Sequence, residues 1–325
     1  MDGEHTRLTD SGARLCGILV TYNPDRMLRD ALTAAVAQLE TVYVVDNSQI
    51  PQSESFVLRE VERCRALSGT NKCILFQNGR NTGIDHAINQ GLAAAAKEGF
   101  SGALVLDQDS ILTDGAIDAL ASAFTVASRQ HRVGIVCARN VEIYQGRVGA
   151  PNWYERLKSV FHLIRGGERL NDIEETFFCV YSGSLINLQA VADVGPTCEE
   201  YFIDADDKEF CFRLRSKGWK ILSAPAAIVR HLCGTVDTDQ PDGLAMAGFT
   251  DHVAWRHYYI ARNTLVTWKR YVRRFPTDAT VMLFIWWLFL WITIGRAKDR
   301  LPIVTFTVRG YRDFLRHRMG PAEFS

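Results

Sequence analysis

Residues 103–110 read Ala-Leu-Val-Leu-Asp-Gln-Asp-Ser, a short apolar run that ends on two carboxylates, Asp107 and Asp109. A continuous apolar run bounded by polar residues describes a strand buried on both faces. Residues 16–21 (CGILVT), 42–46 (VYVVD), 73–77 (CILFQ) and 133–138 (VGIVCA) have the same form. Between them, residues 28–38, 84–98 and 114–127 carry apolar positions at helical spacing. This alternation predicts an α/β fold with a doubly wound, mostly parallel sheet. Ligands of such sheets bind outside the carboxyl ends of the strands. Here those ends carry Thr21-Tyr22-Asn23, Asp46-Asn47-Ser48, Asn78 with Asn81, and Asp107-Gln108-Asp109, so one edge collects the polar residues.

The pattern loosens further along. Residues 140–177 show no clean period and are expected to be irregular or loosely helical. Residues 178–188 (FCVYSGSLINL) suggest a strand with a small-residue turn at Ser182-Gly183-Ser184. Acidic residues from Glu199 to Glu209 lead into a helix over 208–217. Residues 221–231 look extended, interrupted by Pro225 and ended by His231. A helix is expected over 251–271, followed by the uncharged run 280–294 (TVMLFIWWLFLWITI), which holds three Trp. The organisation expected is a main α/β domain over 1–250 and a helical, partly apolar appendage over 251–325. Within the domain, the pattern divides into a regular half over about 14–139 and a less regular half over about 140–250.

Composition excludes several classes. Lys+Arg and Asp+Glu both number 37, so no global basic excess points to nucleic acid. The charge is unevenly placed, basic after Arg256 and acidic over 193–209. The eight Cys form no CxxC pair, which argues against a zinc knuckle and for reduced core residues in a cytoplasmic protein. The polar N-terminus lacks a signal-peptide apolar region, so secretion is not expected.

Each polar cluster admits a chemical and a local explanation. Asp107 and Asp109 at a strand end can reach one hard cation, Mg²⁺ or Mn²⁺, through oxygen ligands; Asp109-Ser110 would also cap a helix. Asp46 can accept from a pyrimidine N–H or bind ribose hydroxyls, or can close an Asx-turn. Asn81 and Gly83 precede a helix start that suits phosphate, though helix entry explains them equally. Asp204, Asp206, Asp207 and Glu209 crowd together; such crowding raises a carboxyl's pKa and can produce a general base, whereas a solvated acidic face is the bland alternative. His231 can complete a metal site with Asp109.

Taken in order, these pieces resemble an inverting family 2 glycosyltransferase of the GT-A fold. The residues that match are Val20-Thr21-Tyr22-Asn23, Val45-Asp46-Asn47-Ser48, Asn81-x-Gly83 with Ala87-x-Asn89-x-Gly91-Leu92, and Leu106-Asp107-Gln108-Asp109-Ser110. Tyr201 to Phe210 and Val229-Arg230-His231 complete the set, which covers about 14–235. The LDQDS wording, Tyr258-Tyr259-x-x-Arg262-Asn263 and Val308-Arg309-Gly310-Tyr311-x-Asp313 are most similar to bacterial rhamnosyltransferases. The resemblance implies dTDP-L-rhamnose as donor and a lipid-linked glycan of O-antigen type as acceptor. Thr21, Tyr22, Asn23, Asp46, Asn47, Asn81, Gly83, Asp107, Gln108 and Arg262 would contact the nucleotide-sugar. Asp109 and His231 would hold the metal. Asp207 would be the catalytic base, with Asp206 as its neighbour and rival. The processive QxxRW motif is absent from the sequence, so one or a few sugars are expected per encounter.

Residues 280–294 number fewer than the roughly 20 that cross a bilayer as a helix. Their Trp content and basic flanks fit a membrane interface, which would make the enzyme peripheral on the inner face of the cytoplasmic membrane. Packing on the catalytic domain or in a homodimer interface is the alternative. A UDP-hexose donor remains open within the enzyme class. A sugar nucleotidyltransferase would show a Gly-rich loop where Thr21-Tyr22-Asn23-Pro24 stands, and a non-catalytic binding module would not need Asp207.

Overall fold

The computed structural model describes residues 13–68, 72–144, 147–151, 169–170, 173–231 and 253–324. The five apolar runs are strands. The first part of the chain runs β1 (Leu15–Thr21), α1 (Met27–Gln38), β2 (Thr41–Asp46), α2 (Pro51–Ser68), β3 (Cys73–Gln77), α3 (Ile84–Lys97), β4 (Gly102–Asp107), β5 (Ile111–Leu112), α4 (Ala116–Ser128) and β6 (Val133–Tyr144). It continues with β7 (Arg147–Pro151), β8 (Arg169–Leu170), β9 (Ile173–Thr176), β10 (Ser184–Asn187), α5 (Leu188–Val194), a 3₁₀ turn (Glu199–Tyr201), α6 (Asp206–Ser216) and β11 (Lys220–His231). The tail holds α7 (Arg256–Tyr271), α8 (Pro276–Arg296) and α9 (Leu301–Leu315).

The sheet order is β3-β2-β1-β4-β10-β6-β11-β9-β8, with β5 on β11 and β7 on β6. β3, β2, β1 and β4 pair in parallel. β10 lies antiparallel between β4 and β6, so β6 again points the way β4 does, and β11 pairs parallel to β6. The long strands thus share one direction and deliver their carboxyl ends to one edge.

Both faces are covered, as the unbroken apolar runs require. On one side Leu15 and Leu19 of β1 join Leu28, Leu32 and Val57; on the other Cys16 and Ile18 join Ala87, Ile88 and Leu92. α3 sits so close to β1 that a Cβ on Gly91 would stand 2.6 Å from Ile18. The seven described cysteines are free, and all but Cys198 are buried.

Four elements differ from expectation. α2 is not visible in the sequence as an amphipathic helix because its buried stripe is narrow and includes Glu60, paired with Arg29 and Arg63. Within 140–177, the strand β6 runs on to Tyr144 and β9 forms at 173–176, because pairing with β11 supplies order that local periodicity lacks. Residues 152–168 lie outside the described set. Only the second half of 178–188 is strand: Gly183 adopts φ 80° and the turn ahead of β10 holds Tyr181 and Ser182. The helix expected from 208 begins at Asp206. The interruption expected at Pro225 appears as a register shift between Ala224 and Ile228.

α7 carries the tail. α9 packs across it at Gly310, where any Cβ would collide with the Tyr258 carbonyl. α8 touches the body through its first turns alone, where Asp278, Ala279 and Met282 are buried and Asp278 pairs with Arg215 at 2.6 Å.

Candidate active site at the strand-end edge

β1 and β2 end side by side, with Thr21 paired to Asp46 in the ladder. The Thr21 hydroxyl donates to Asp46 Oδ1 at 2.7 Å, and the Ser48 N–H donates to the same oxygen at 3.0 Å. Asp46 is buried, yet its Oδ2 has no partner. An orphaned buried carboxylate oxygen is costly unless a ligand donor meets it. Asn23 follows at φ 44°, its N–H on Ser48 Oγ at 2.9 Å and its own Oδ1 buried without a partner. Two unfilled acceptors therefore face the end of β1.

The next loop is built on amides. Asn47 Nδ2 donates to the Gly83 carbonyl at 2.9 Å, while Asn78 Nδ2 and the Thr82 hydroxyl donate to Asn47 Oδ1 at 2.9 and 2.8 Å. Asn78 and Gln90 exchange two further bonds, at 2.8 and 3.0 Å. Asn81 Oδ1 accepts from the Gly83 N–H at 3.0 Å. Gly83 has φ 87°, and a Cβ there would meet Phe202 at 2.8 Å. Its lack of a side chain is therefore required by Phe202.

At the end of β4, Gln108 Oε1 accepts from the Tyr22 N–H at 2.8 Å and so ties β4 to β1. Asp107 and Asp109 are both half-buried, and the Ser110 N–H bonds the Asp107 carbonyl at 3.1 Å. Ser110 Oγ meets Ser182 Oγ at 2.5 Å, which fixes the turn before β10 against this edge.

The acids occupy the far side. Phe202, Asp204 and Ala205 all have positive φ, at 68°, 67° and 61°, a run of left-handed residues that non-glycine side chains disfavour. The tail holds this loop in place. Asn263 Nδ2 reaches the carbonyls of Tyr201, Ile203 and Asp204 at 3.0, 2.8 and 2.9 Å. Asp206 is buried at the first turn of α6, and burial, then Asp85, Asp207 and Asp204, push its carboxyl well above the usual range. Asp207, one residue on, is half-buried; its Oδ1 accepts the Lys208 N–H at 2.7 Å and the Lys208 ammonium at 3.2 Å. Of the pair, Asp207 is the more exposed and has a cation beside it, and Asp206 is the more deeply buried.

Arg262 does not fit the role the sequence suggested. It is fully buried, and its guanidinium donates to Asn263 Oδ1, the Tyr258 hydroxyl and the carbonyls of Gly320, Glu200 and Tyr201. All five N–H groups are used inside the protein, so Arg262 positions the acid loop and has none left for a donor. The side chain of His231 lies outside the described residues; its backbone ends β11.

Two site residues were missed. Arg256 grips Asp204 with two bonds, at 2.5 and 3.1 Å, and despite burial its charge is reinforced by Asp204, Asp206 and Asp107. Nothing in the sequence separates it from neighbouring cations. Asp85 is completely buried, takes the Tyr181 hydroxyl on Oδ1 at 3.3 Å and leaves Oδ2 unpartnered. Burial chiefly, with Glu209 and Asp207, pushes its pKa up to about 8. Asp85 shares a buried helix face with Ile88, Leu92 and Ala95, and a carboxylate on an apolar stripe was the signal available.

A mostly parallel sheet that collects acids and amides at its strand-end edge is the arrangement of a glycosyltransferase of the GT-A fold, and comparison with known proteins shows that class. The description "Glycosyltransferase like family 2" matches residues 17–245, and the chain belongs to that family. It is 25% identical over 270 residues to the dTDP-rhamnosyl transferase RfbF of Shigella flexneri, covering 79% of this chain and 81% of that one. Among solved structures, S. aureus TarS 1-349 in complex with UDP-GlcNAc superposes with a TM-score of 0.59 at 12% identity, over 94% of this chain and 81% of that one. The mannosyltransferase PcManGT from Pyrobaculum calidifontis, in complex with GDP-Man and Mn²⁺, gives 0.55 at 14% identity, over 94% and 88%. GalNAc-T7 with UDP, GalNAc and Mn²⁺ gives 0.54 at 14% identity over 77% of this chain, which spans 50% of that longer chain.

Proposed function

We propose that the protein transfers L-rhamnose from dTDP-L-rhamnose to a lipid-linked glycan, inverting the anomeric centre. The observation that carries this reading is the unfilled Asp46 Oδ2 at the end of β2, across the edge from Asp207. A buried acceptor with one oxygen left over suits the N3–H of a thymine or uracil. Asn23 and the Asn81–Gly83 turn continue that groove toward the sugar and diphosphate. Asp107 lies at the ribose and Gln108 fixes the turn between β1 and β4.

Asp207 takes the proton of the acceptor hydroxyl as its oxygen attacks the anomeric carbon. The carbon–oxygen bond to the nucleoside diphosphate breaks on the opposite face, and configuration inverts. Asp206 is buried, and burial with its acidic neighbours raises its carboxyl pKa, which leaves Asp207 the better placed of the two for that proton. Arg256 places a positive charge near Asp107 and Asp204, where it offsets the repulsion between the acids and the donor's phosphates.

The site suits Mg²⁺ or Mn²⁺. Among the described residues no group of three or more His, Cys, Asp or Glu converges. Magnesium-type sites use one or two carboxylates and complete their shell with phosphate oxygens and water, which matches a half-buried Asp109 at the mouth of the groove. Asp109 would hold the ion, with His231 as the second protein ligand. Bound there, the ion would neutralise charge on the departing diphosphate.

This reading places the enzyme in the cytoplasm, at the inner membrane face where a lipid-linked acceptor is presented. A UDP-hexose donor is the second reading, supported by the UDP-GlcNAc held by TarS. A donor panel separates them: release of nucleoside diphosphate is expected from dTDP-rhamnose, dependent on divalent metal, and release from a UDP-hexose alone would overturn the rhamnose assignment.

A further inference from the structure

α8 is apolar around its whole circumference, yet only 17% of its most apolar window is buried. A helix of that composition belongs inside a core or against lipid. The catalytic domain does not cover it: past Met282 no residue of α8 is buried. Phe284, Trp287, Leu288 and Trp291 form one outward stripe at helical spacing, each 43–57% exposed. α9 repeats the arrangement. Its inner side, with Ile303 and Gly310, faces the body, while Leu301, Val304, Val308, Tyr311 and Leu315 point outward, 40–73% exposed. Two consecutive helices thus each leave an apolar stripe in water, which soluble surfaces rarely tolerate.

Charge decides what covers them. From residue 256 to 324 the chain carries thirteen Lys or Arg against four Asp or Glu. Two of the four acids are already taken, Asp278 by Arg215 and Asp313 by the Tyr258 hydroxyl. Arg273 and Arg274 precede α8, and Arg296, Lys298 and Arg300 follow it. Arg309, Arg312 and Arg316 flank the α9 stripe. The stripe on α9 has the 3-4 spacing of a coiled-coil seam, but arginines beside that seam would repel those of a second copy. An anionic surface would instead be attracted, at about 1 kcal/mol per basic residue.

Length decides how it docks. Asp278 and Met282 are fixed to the body and Ile285 still packs on its core, so the free part of α8 is residues 286–296, about 17 Å long at 1.5 Å per residue. A bilayer core is about 30 Å thick.

We infer that α8 and α9 form a one-leaflet docking surface for an anionic membrane, the apolar stripes entering the lipid and the arginines resting on the headgroups. The inference stands on the tail and needs no particular donor. It adds to the proposed reaction a reason why a lipid-linked acceptor would be met at this enzyme's edge.

Flotation of the full chain with vesicles tests it. Binding is expected with phosphatidylcholine containing phosphatidylglycerol, and much weaker binding with phosphatidylcholine alone. Leu288→Glu with Trp291→Glu should abolish flotation. Arg296→Gln, Lys298→Gln and Arg300→Gln together should weaken partition roughly a hundred-fold. Both variants should still release nucleoside diphosphate from donor in solution, which separates failure of docking from failure of the proposed reaction. On sealed vesicles, Lys298→Cys should stay reactive to an impermeant maleimide added outside; protection would overturn one-leaflet docking. Indifference to anionic lipid, with a dimer by light scattering that the Leu288/Trp291 variant splits, would assign the surface to a second copy instead.

Discussion

At the proposed donor end of the edge, Asn47, Asn78, Thr82 and Gln90 hold one another with neutral hydrogen bonds, and the one charge beside them, Asp46, takes the Thr21 hydroxyl on one oxygen and has no partner on the other. At the acceptor end, Asp85, Asp206 and Glu209 are buried charges or would-be charges, and Asp204 is gripped by Arg256. Glu209 alone takes Arg213, Arg270 and the Tyr271 hydroxyl, at 2.9, 3.3 and 2.7 Å. The donor end is thus assembled by groups that ignore pH and salt. The acceptor end is assembled by a balance of charge that the tail supplies.

The sharpest way to break this contrast is Asp207→Asn. Transfer should fall roughly a thousand-fold while donor affinity holds, because the change removes a base from one end and nothing from the other. Steady-state transfer beside calorimetric donor titration reads both; retained transfer would end the base assignment. Arg262→Ala comes next. It removes five buried hydrogen bonds, leaving the Gly320 carbonyl without its donor and the Glu200 and Tyr201 carbonyls with one donor fewer, and a loss of roughly 3–5 kcal/mol is expected. Urea titration measures it, and donor affinity of the folded fraction should be unchanged; a folded variant that loses donor instead would restore the nucleotide role.

The smallest effect is the most specific. Asp85 titrates near 8 when folded and near the ordinary carboxyl value when unfolded. Between those values the folded state holds the proton that the unfolded state has released, so stability falls as pH rises from about 4 to 8 and then levels. Asp85→Asn removes that slope. Its melting temperature relative to the wild type should climb by several degrees from pH 5 to pH 8.5. An equal offset at both pH values would place the pH sensitivity elsewhere.

The same contrast explains what could be read from the chain. Strands such as 103–107 and 16–21 announce themselves because both faces of the sheet are covered, and their polar ends then mark the edge at which the proposed donor groups collect. The proposed acceptor side depends on contacts 52 and 62 residues apart in sequence, Arg256 to Asp204 and Asn263 to Tyr201, and no local pattern encodes them. Arg262 was misassigned for that reason: its motif was visible, but the carbonyls it serves were not. α2 escaped notice because Glu60 sits on its buried stripe, where only Arg29 and Arg63 make a carboxylate tolerable.

Gly83 and Phe202 meet where the two ends join. The Ile84 N–H bonds the Phe202 carbonyl at 2.9 Å, and no room exists for a Cβ between them. Phe202 also opens the strained run that leads to Asp207. A side chain added at 83 therefore lands on the loop of the proposed base as much as on the proposed donor groove. A mutational map of this enzyme will show no clean border between donor and acceptor phenotypes along that seam, and any engineered change of donor has to be chosen with the far substrate in view.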